Sequence, residues 1–206
     1  MRLYAPVLCR TVQISGRSAD LYRPAGPVRA GIVFLHGGGF VEGSRAQFAS
    51  ICRHLCSRYP VICLSLDYRL APAFAFPAPI QDAVAAFRWL MRTARLSADR
   101  VFLAGGSPGG CIAALAVLAA PRRQARWGVP PGPLPRRAIL LNGICDLTAF
   151  YRQNPEEQAR VRAFLGGDLT RMPLASPAAY SPSGRWLLLH GSADQVVPPA
   201  QCRAFA

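Results

Sequence analysis

The sequence predicts an α/β domain: a mostly parallel central sheet with helices on both faces. Three observations carry this. From Ala30 onward, short apolar runs alternate with segments of helical spacing. The runs are continuously apolar, as strands buried on both faces are. Three unusual loops, at residues 36–40, 105–110 and 190–194, each follow such a run. Strand–helix alternation folds with right-handed crossovers, and sites in such sheets lie at the carboxyl ends of the strands. The three loops should therefore gather on one edge.

The elements follow in order. Residues 11–15 and 19–23 alternate weakly and are split by Gly16, which predicts two short antiparallel strands. Residues 31–35 form a buried strand that runs into His36-Gly37-Gly38-Gly39. Phe48, Ile51, Cys52, Leu55 and Cys56 fall on one helical face, and residues 61–66 form the next strand. Ile80, Val84, Phe87 and Met91 mark a second helix. Residues 101–104 form a strand before Gly105-Gly106-Ser107-Pro108-Gly109. Residues 111–120 form a helix that is apolar nearly all round and so deeply buried. Residues 121–135, rich in Pro and Arg, are expected to be a surface loop. Strands at 138–141 and 186–189 and helices at 155–165 and from Pro199 complete the pattern.

Composition sets limits. A chain of 206 residues suits a single domain over 1–206, and 51% hydrophobic against 17% charged residues is ample for a core. The net charge of +14 comes without a single Lys, and Arg, Ala, Pro and Gly are all abundant, which reads as compositional drift. The densest cluster, Arg122, Arg123, Arg126, Arg136 and Arg137, has no interleaved aromatic ladder, so a nucleic-acid partner is not expected. Seven cysteines without CxxC spacing argue against a disulfide framework or a metal site. They are expected to be small buried side chains in a reducing compartment. With no signal-peptide pattern and no run long enough for a bilayer, a cytoplasmic protein without a membrane span is expected.

Gly105-Gly106-Ser107-Pro108-Gly109 satisfies G-x-S-x-G between an apolar strand and an apolar helix, the context in which the motif presents a nucleophilic Ser. Its tight turn lifts the hydroxyl clear of the backbone, and the helix N-terminus favours developing negative charge. His36-Gly37-Gly38-Gly39 follows an earlier strand, as an oxyanion-hole loop does, with glycines letting backbone N–H groups come close to an oxyanion.

Further motifs join these two: Asp67-Tyr68-Arg69-Leu70-Ala71-Pro72, Phe76-Pro77-Ala78 with Asp82 and Trp89-Leu90, Phe164-Leu165-Gly166-Gly167, Ala175-Ser176-Pro177, and His190-Gly191-Ser192-Ala193-Asp194 with Val197-Pro198. Over about residues 28–206 the sequence resembles the hormone-sensitive-lipase-like bacterial acetyl- and carboxylesterases of the α/β-hydrolase fold. The resemblance implies a Ser–Asp–His acyl-transfer mechanism on a small-molecule ester, with no cofactor. Ser107 would attack the carbonyl, Gly38 and Gly39 would donate N–H bonds to the oxyanion, and Asp194 would orient the base. Asp146 is a runner-up acid, set against a role as a helix or turn cap.

Two departures stand out. The base of this fold is a His after the acid, yet only twelve residues follow Asp194 and none is His. His36 belongs to the glycine loop, His54 lies in a helix, and His190 is expected to hold the acid's loop. The expectation is a chain incomplete at its C-terminus, lacking the last strand and exposing an edge that favours a homodimer. The second departure is Pro108: the residue after the nucleophile normally supplies an oxyanion N–H, and proline has none. Together they raise an alternative: a catalytically impaired relative acting as a binding or interaction protein.

Overall fold

The computed structural model describes residues 6–119, 121–181 and 183–205. Seven strands form one sheet in the order β1-β2-β4-β3-β5-β6-β7. They are β1 (Val7–Ile14), β2 (Arg17–Pro24), β3 (Ala30–Leu35), β4 (Val61–Leu66), β5 (Val101–Gly106), β6 (Arg137–Leu141) and β7 (Arg185–Leu189). β1, β2 and β4 pair antiparallel, and β4, β3, β5, β6 and β7 pair parallel. The turn at Ser15-Gly16 closes β1 onto β2.

The strand alternation sorts the core into two layers. Phe34, Cys63 and Ala104 face Cys52 and Cys56 of helix α1 (Ala49–Arg58). Val33, Leu35, Ile62, Leu64 and Leu103 face the other way, against α2 (Ala78–Thr93) and α3 (Pro108–Val117). Every residue of α3 is buried, as its all-round apolarity requires. Pro108 is its first residue, where the missing N–H costs the helix nothing. The expected helical start at Cys111 is thus too late, and Ala120, its expected end, lies outside the described residues.

The stretch at 121–135 is not the surface loop that its composition suggests. It opens with α4 (Pro121–Arg126) and then buries Trp127 and Val129. The Trp127 ring packs edge-on against Phe76 and Tyr180, at 5.6 and 6.3 Å between centroids. One large aromatic anchor outweighs the polarity of its neighbours. The arginines here are partly tied into the fold: Arg123 lies over the Tyr180 ring at 4.5 Å and donates from Nε to the Leu118 carbonyl at 2.7 Å.

Helix α5 (Leu147–Gln153) has no counterpart in the sequence reading, and the helix expected at 155–165 is a short 3-10 turn followed by α6 (Gln158–Phe164). The last helix is α7 (Ala200–Arg203). Asp146 caps α5: its Oδ1 accepts from the Ala149 amide at 2.9 Å. Asp146→Ala should therefore lower stability by about 0.5–2 kcal/mol in urea denaturation.

Six cysteines are buried and Cys9 is exposed. No helix among the described residues is long and apolar enough to cross a membrane. β7 is the outermost strand described, with Leu187 and Leu189 about half exposed.

Candidate active site

Ser107 links the end of β5 to the start of α3. Its backbone is held at φ 51° and ψ −117°, a left-handed φ that costs a non-glycine residue about 1–3 kcal/mol and persists only when the surroundings enforce it. They do so here. The Ser107 amide donates to the Leu141 carbonyl at the end of β6 (3.0 Å), and its carbonyl accepts from the Ile144 amide (3.3 Å). The sharp turn then hands the chain to α3, and Ser107 lines a cavity of about 160 Å³.

Gly38 and Gly39 line the same cavity. Their turn is tied from several sides. The Gly38 carbonyl accepts from the amides of Val41 and Glu42 at 3.1 and 3.0 Å. The Gly37 amide donates to Gln47 Oε1 at 2.5 Å. Among the described residues, no acceptor engages the amides of Gly38 or Gly39. Two N–H donors are thus left open beside a strained serine.

The loop rests on a buried platform. The His36 ring stacks on Tyr68 at 4.2 Å, and the Tyr68 hydroxyl donates to the His36 carbonyl at 2.8 Å. His36 Nδ1 lies 2.7 Å from the Gly37 carbonyl, so that nitrogen carries the proton and donates. Burial lowers the His36 pKa and raises that of Tyr68, so both groups are neutral near pH 7. Arg69 in turn binds the buried carboxylate of Asp82 on α2, through Nε at 3.0 and 2.9 Å and through Nη2 at 2.9 Å. Tyr68 thus braces the base of the glycine turn, and Arg69 anchors that segment to α2.

Asp194 sits in the loop after β7, outside the residues that line the cavity, while Val196 two positions on is at its rim. Asp194 Oδ1 accepts from the amides of Val196 and Val197 at 3.0 and 2.9 Å, an arrangement that shapes the loop. His190 Nε2 lies 2.6 Å from the Val197 carbonyl and 3.8 Å from Asp194 Oδ2, and its Nδ1 is 3.0 Å from Cys202 Sγ. His190 holds the loop, as expected. His54 is exposed on α1. None of the three histidines lines the cavity.

Other lining residues escaped the sequence reading. Glu157 precedes α6 and Arg160 lies in its first turn, and Phe40, Phe150 and Val161 supply apolar wall. Arg160 pairs with Glu157 at 3.1 Å and with Glu42 at 2.9 Å. Only the fold brings these positions together, and no local motif marks them.

The strand order, the serine elbow and the glycine turn define a class, and comparison with known proteins agrees. Residues 32–185 match the model of the alpha/beta hydrolase fold family, and the chain belongs to that family. Its ancestry is that of carboxylesterase-type hydrolases of the hormone-sensitive-lipase-like group. It is 31% identical over 205 residues to Esterase LipC of Mycobacterium tuberculosis (strain ATCC 25618 / H37Rv), covering 92% of this chain and 49% of that protein. It is 31% identical over 179 residues to Acetyl-hydrolase of Streptomyces hygroscopicus, covering 81% of this chain and 57% of that one. The crystal structure of an esterase from the bacterial hormone-sensitive lipase (HSL) family superposes with a TM-score of 0.79 at 28% identity, covering 99% of this chain and 70% of that one. The chain thus spans about half the length of these two curated relatives. The similarity to hydrolases does not favour the alternative of a purely binding protein.

Proposed function

We propose that the protein hydrolyses short-chain carboxylic esters, with Ser107 as nucleophile, the Gly38 and Gly39 amides as oxyanion donors and Asp194 as the acid of the triad. One observation carries this reading: a serine held at positive φ shares a small cavity with two unengaged backbone amides. Oriented donors at the developing negative charge are commonly the largest single contribution to acyl transfer. The cavity volume of about 160 Å³ and its Phe40, Phe150 and Val161 wall fit an acetyl or similarly short acyl group. The relatives' names, Acetyl-hydrolase and Esterase LipC among them, point to the same substrate class.

Ser107 Oγ would add to the carbonyl carbon, the C=O π pair would move to oxygen, and collapse would expel the alcohol and leave an acyl-serine for water to cleave. None of the described histidines lines the cavity, so added imidazole can serve as the base that takes the serine proton. p-Nitrophenyl acetate hydrolysis in imidazole is the test. An imidazole-dependent increment that Ser107→Ala lacks is expected, with p-nitrophenyl decanoate a far poorer substrate. Identical rates for the two proteins would overturn the reading.

The same proposal takes residues 1–206 as belonging to a single α/β-hydrolase domain, acting in the cytoplasm. It also includes self-association through β7, which among the described residues pairs on one side only and carries the half-exposed Leu187 and Leu189. Sedimentation should show a concentration-dependent dimer, and a monomer at all concentrations would remove that part.

A further inference from the structure

We propose that Arg160 supplies the oxyanion donor that Pro108 cannot. This rests on the reading of Ser107 as nucleophile.

The deficit is chemical. The residue after the nucleophile ordinarily gives its amide to the oxyanion, and here that residue is a proline, buried as the first residue of α3. Two backbone donors remain, Gly38 and Gly39.

The compensation is geometric. The Arg160 side chain lies across Gly39 and lines the same cavity as Ser107. A Cβ placed on Gly39 would stand 2.5 Å from Arg160 Cδ and 3.2 Å from both Nε and Nη1. The absence of a side chain at position 39 is what lets the guanidinium settle there. In a cavity of about 160 Å³, an acyl group seated on Ser107 fills the space between these walls.

The side chain is also pre-positioned. Glu42 holds Nη2 at 2.9 Å and Glu157 holds Nη1 at 3.1 Å. A guanidinium carries five N–H bonds in a rigid fork and stays protonated at any working pH. Two are spent on these carboxylates, and no acceptor among the described residues engages Nε. Two carboxylates hold the guanidinium over Gly39 before substrate arrives, and a donor oriented in advance is an effective one.

Attraction of an anionic substrate is the competing role, and the charges argue against it. Glu42 and Glu157 together outweigh the one guanidinium, so the cluster is no beacon for anions. A directed N–H bond survives that neutralisation because it acts at contact distance.

A boronic acid tests this without requiring turnover. Propylboronic acid accepts Ser107 Oγ: a B–O bond forms, the serine proton leaves to buffer, and the tetrahedral boronate is an anion with a B–OH oxygen where the oxyanion would stand. Its affinity is measured by isothermal titration for the protein, for R160Q, for P108A and for the double variant. R160Q is expected to weaken binding on the order of 10²-fold. In the P108A background, where the substitution restores a backbone amide after the nucleophile, the same change should cost no more than about threefold on the same scale of donor strengths. Equal losses in both backgrounds, or no loss in either, would overturn the role of Arg160. The S107A variant separates the two claims: if it binds the boronic acid as well as the unaltered protein, the nucleophile reading falls and takes this proposal with it. If S107A loses binding and R160Q does not, only the role of Arg160 is lost.

Discussion

Gly38→Ala is expected to cut the imidazole-dependent hydrolysis of p-nitrophenyl acetate by about 10²–10³-fold, the usual effect of losing one oxyanion donor. The reason is local. Gly38 has φ +115°, a conformation that side chains rarely adopt. A Cβ there would stand 2.2 Å from the Glu42 carbonyl oxygen, which is backbone and cannot rotate away. Relief requires the turn to open, which swings the amides of Gly38 and Gly39 off the cavity. The turn is a partly buried loop at the carboxyl end of β3, outside the packed layers, so the thermal midpoint should move little. A Gly38→Ala protein of unaltered activity would separate this loop from the chemistry.

Gly109→Ala is expected to cost stability instead, by about 3 kcal/mol or more, at the upper end of overpacking effects. Gly109 is where α3 crosses the carboxyl end of β3. An added Cβ would meet the Leu35 carbonyl oxygen at 2.1 Å and that of His36 at 2.6 Å. Both contacts are with backbone, and α3 is buried along its whole length, so the helix has nowhere to retreat. Urea denaturation should show a lower midpoint with an unchanged slope. A midpoint within error of the parent would mean that α3 does not lie against β3 in this way. The pair of substitutions separates the two uses of glycine at this site: one frees donors, the other admits a helix.

Much of this was legible in the sequence, for identifiable reasons. β3, β4 and β5 are continuous apolar runs, and being buried on both faces is what makes them so. Ser107, Gly38 and Gly39 announce themselves because their backbone conformations demand glycine in or around them. Helix α4 and Trp127 were hidden, since Pro- and Arg-rich composition looks solvated until one aromatic finds its pocket. Helix α5 is too short for the 3.6-residue period to stand out, although its cap, Asp146, was visible as a cap or an acid. Arg160, Glu157 and Gln47 could not be found at all. Their roles arise from contacts with Gly39, Glu42 and Gly37 far off in the chain, and nothing local encodes them.

The Asp194 loop shows the limit of motif reading. The residue type and the strand before it were evident, but the carboxylate spends one oxygen on the amides of Val196 and Val197 and leaves the other toward His190. In the proposed role of triad acid, that second oxygen is the one that would face the base.

The central claim is that the Ser107 hydroxyl and the open amides of Gly38 and Gly39 act on one carbonyl. A crystal structure of the protein after reaction with an alkyl fluorophosphonate, which bonds phosphorus to Oγ and releases fluoride, tests it most directly. The predicted result is a label on Ser107 with its phosphoryl oxygen about 2.7–3.1 Å from both glycine amides. A label on another residue, or a phosphoryl oxygen turned to solvent away from Gly38 and Gly39, would contradict it.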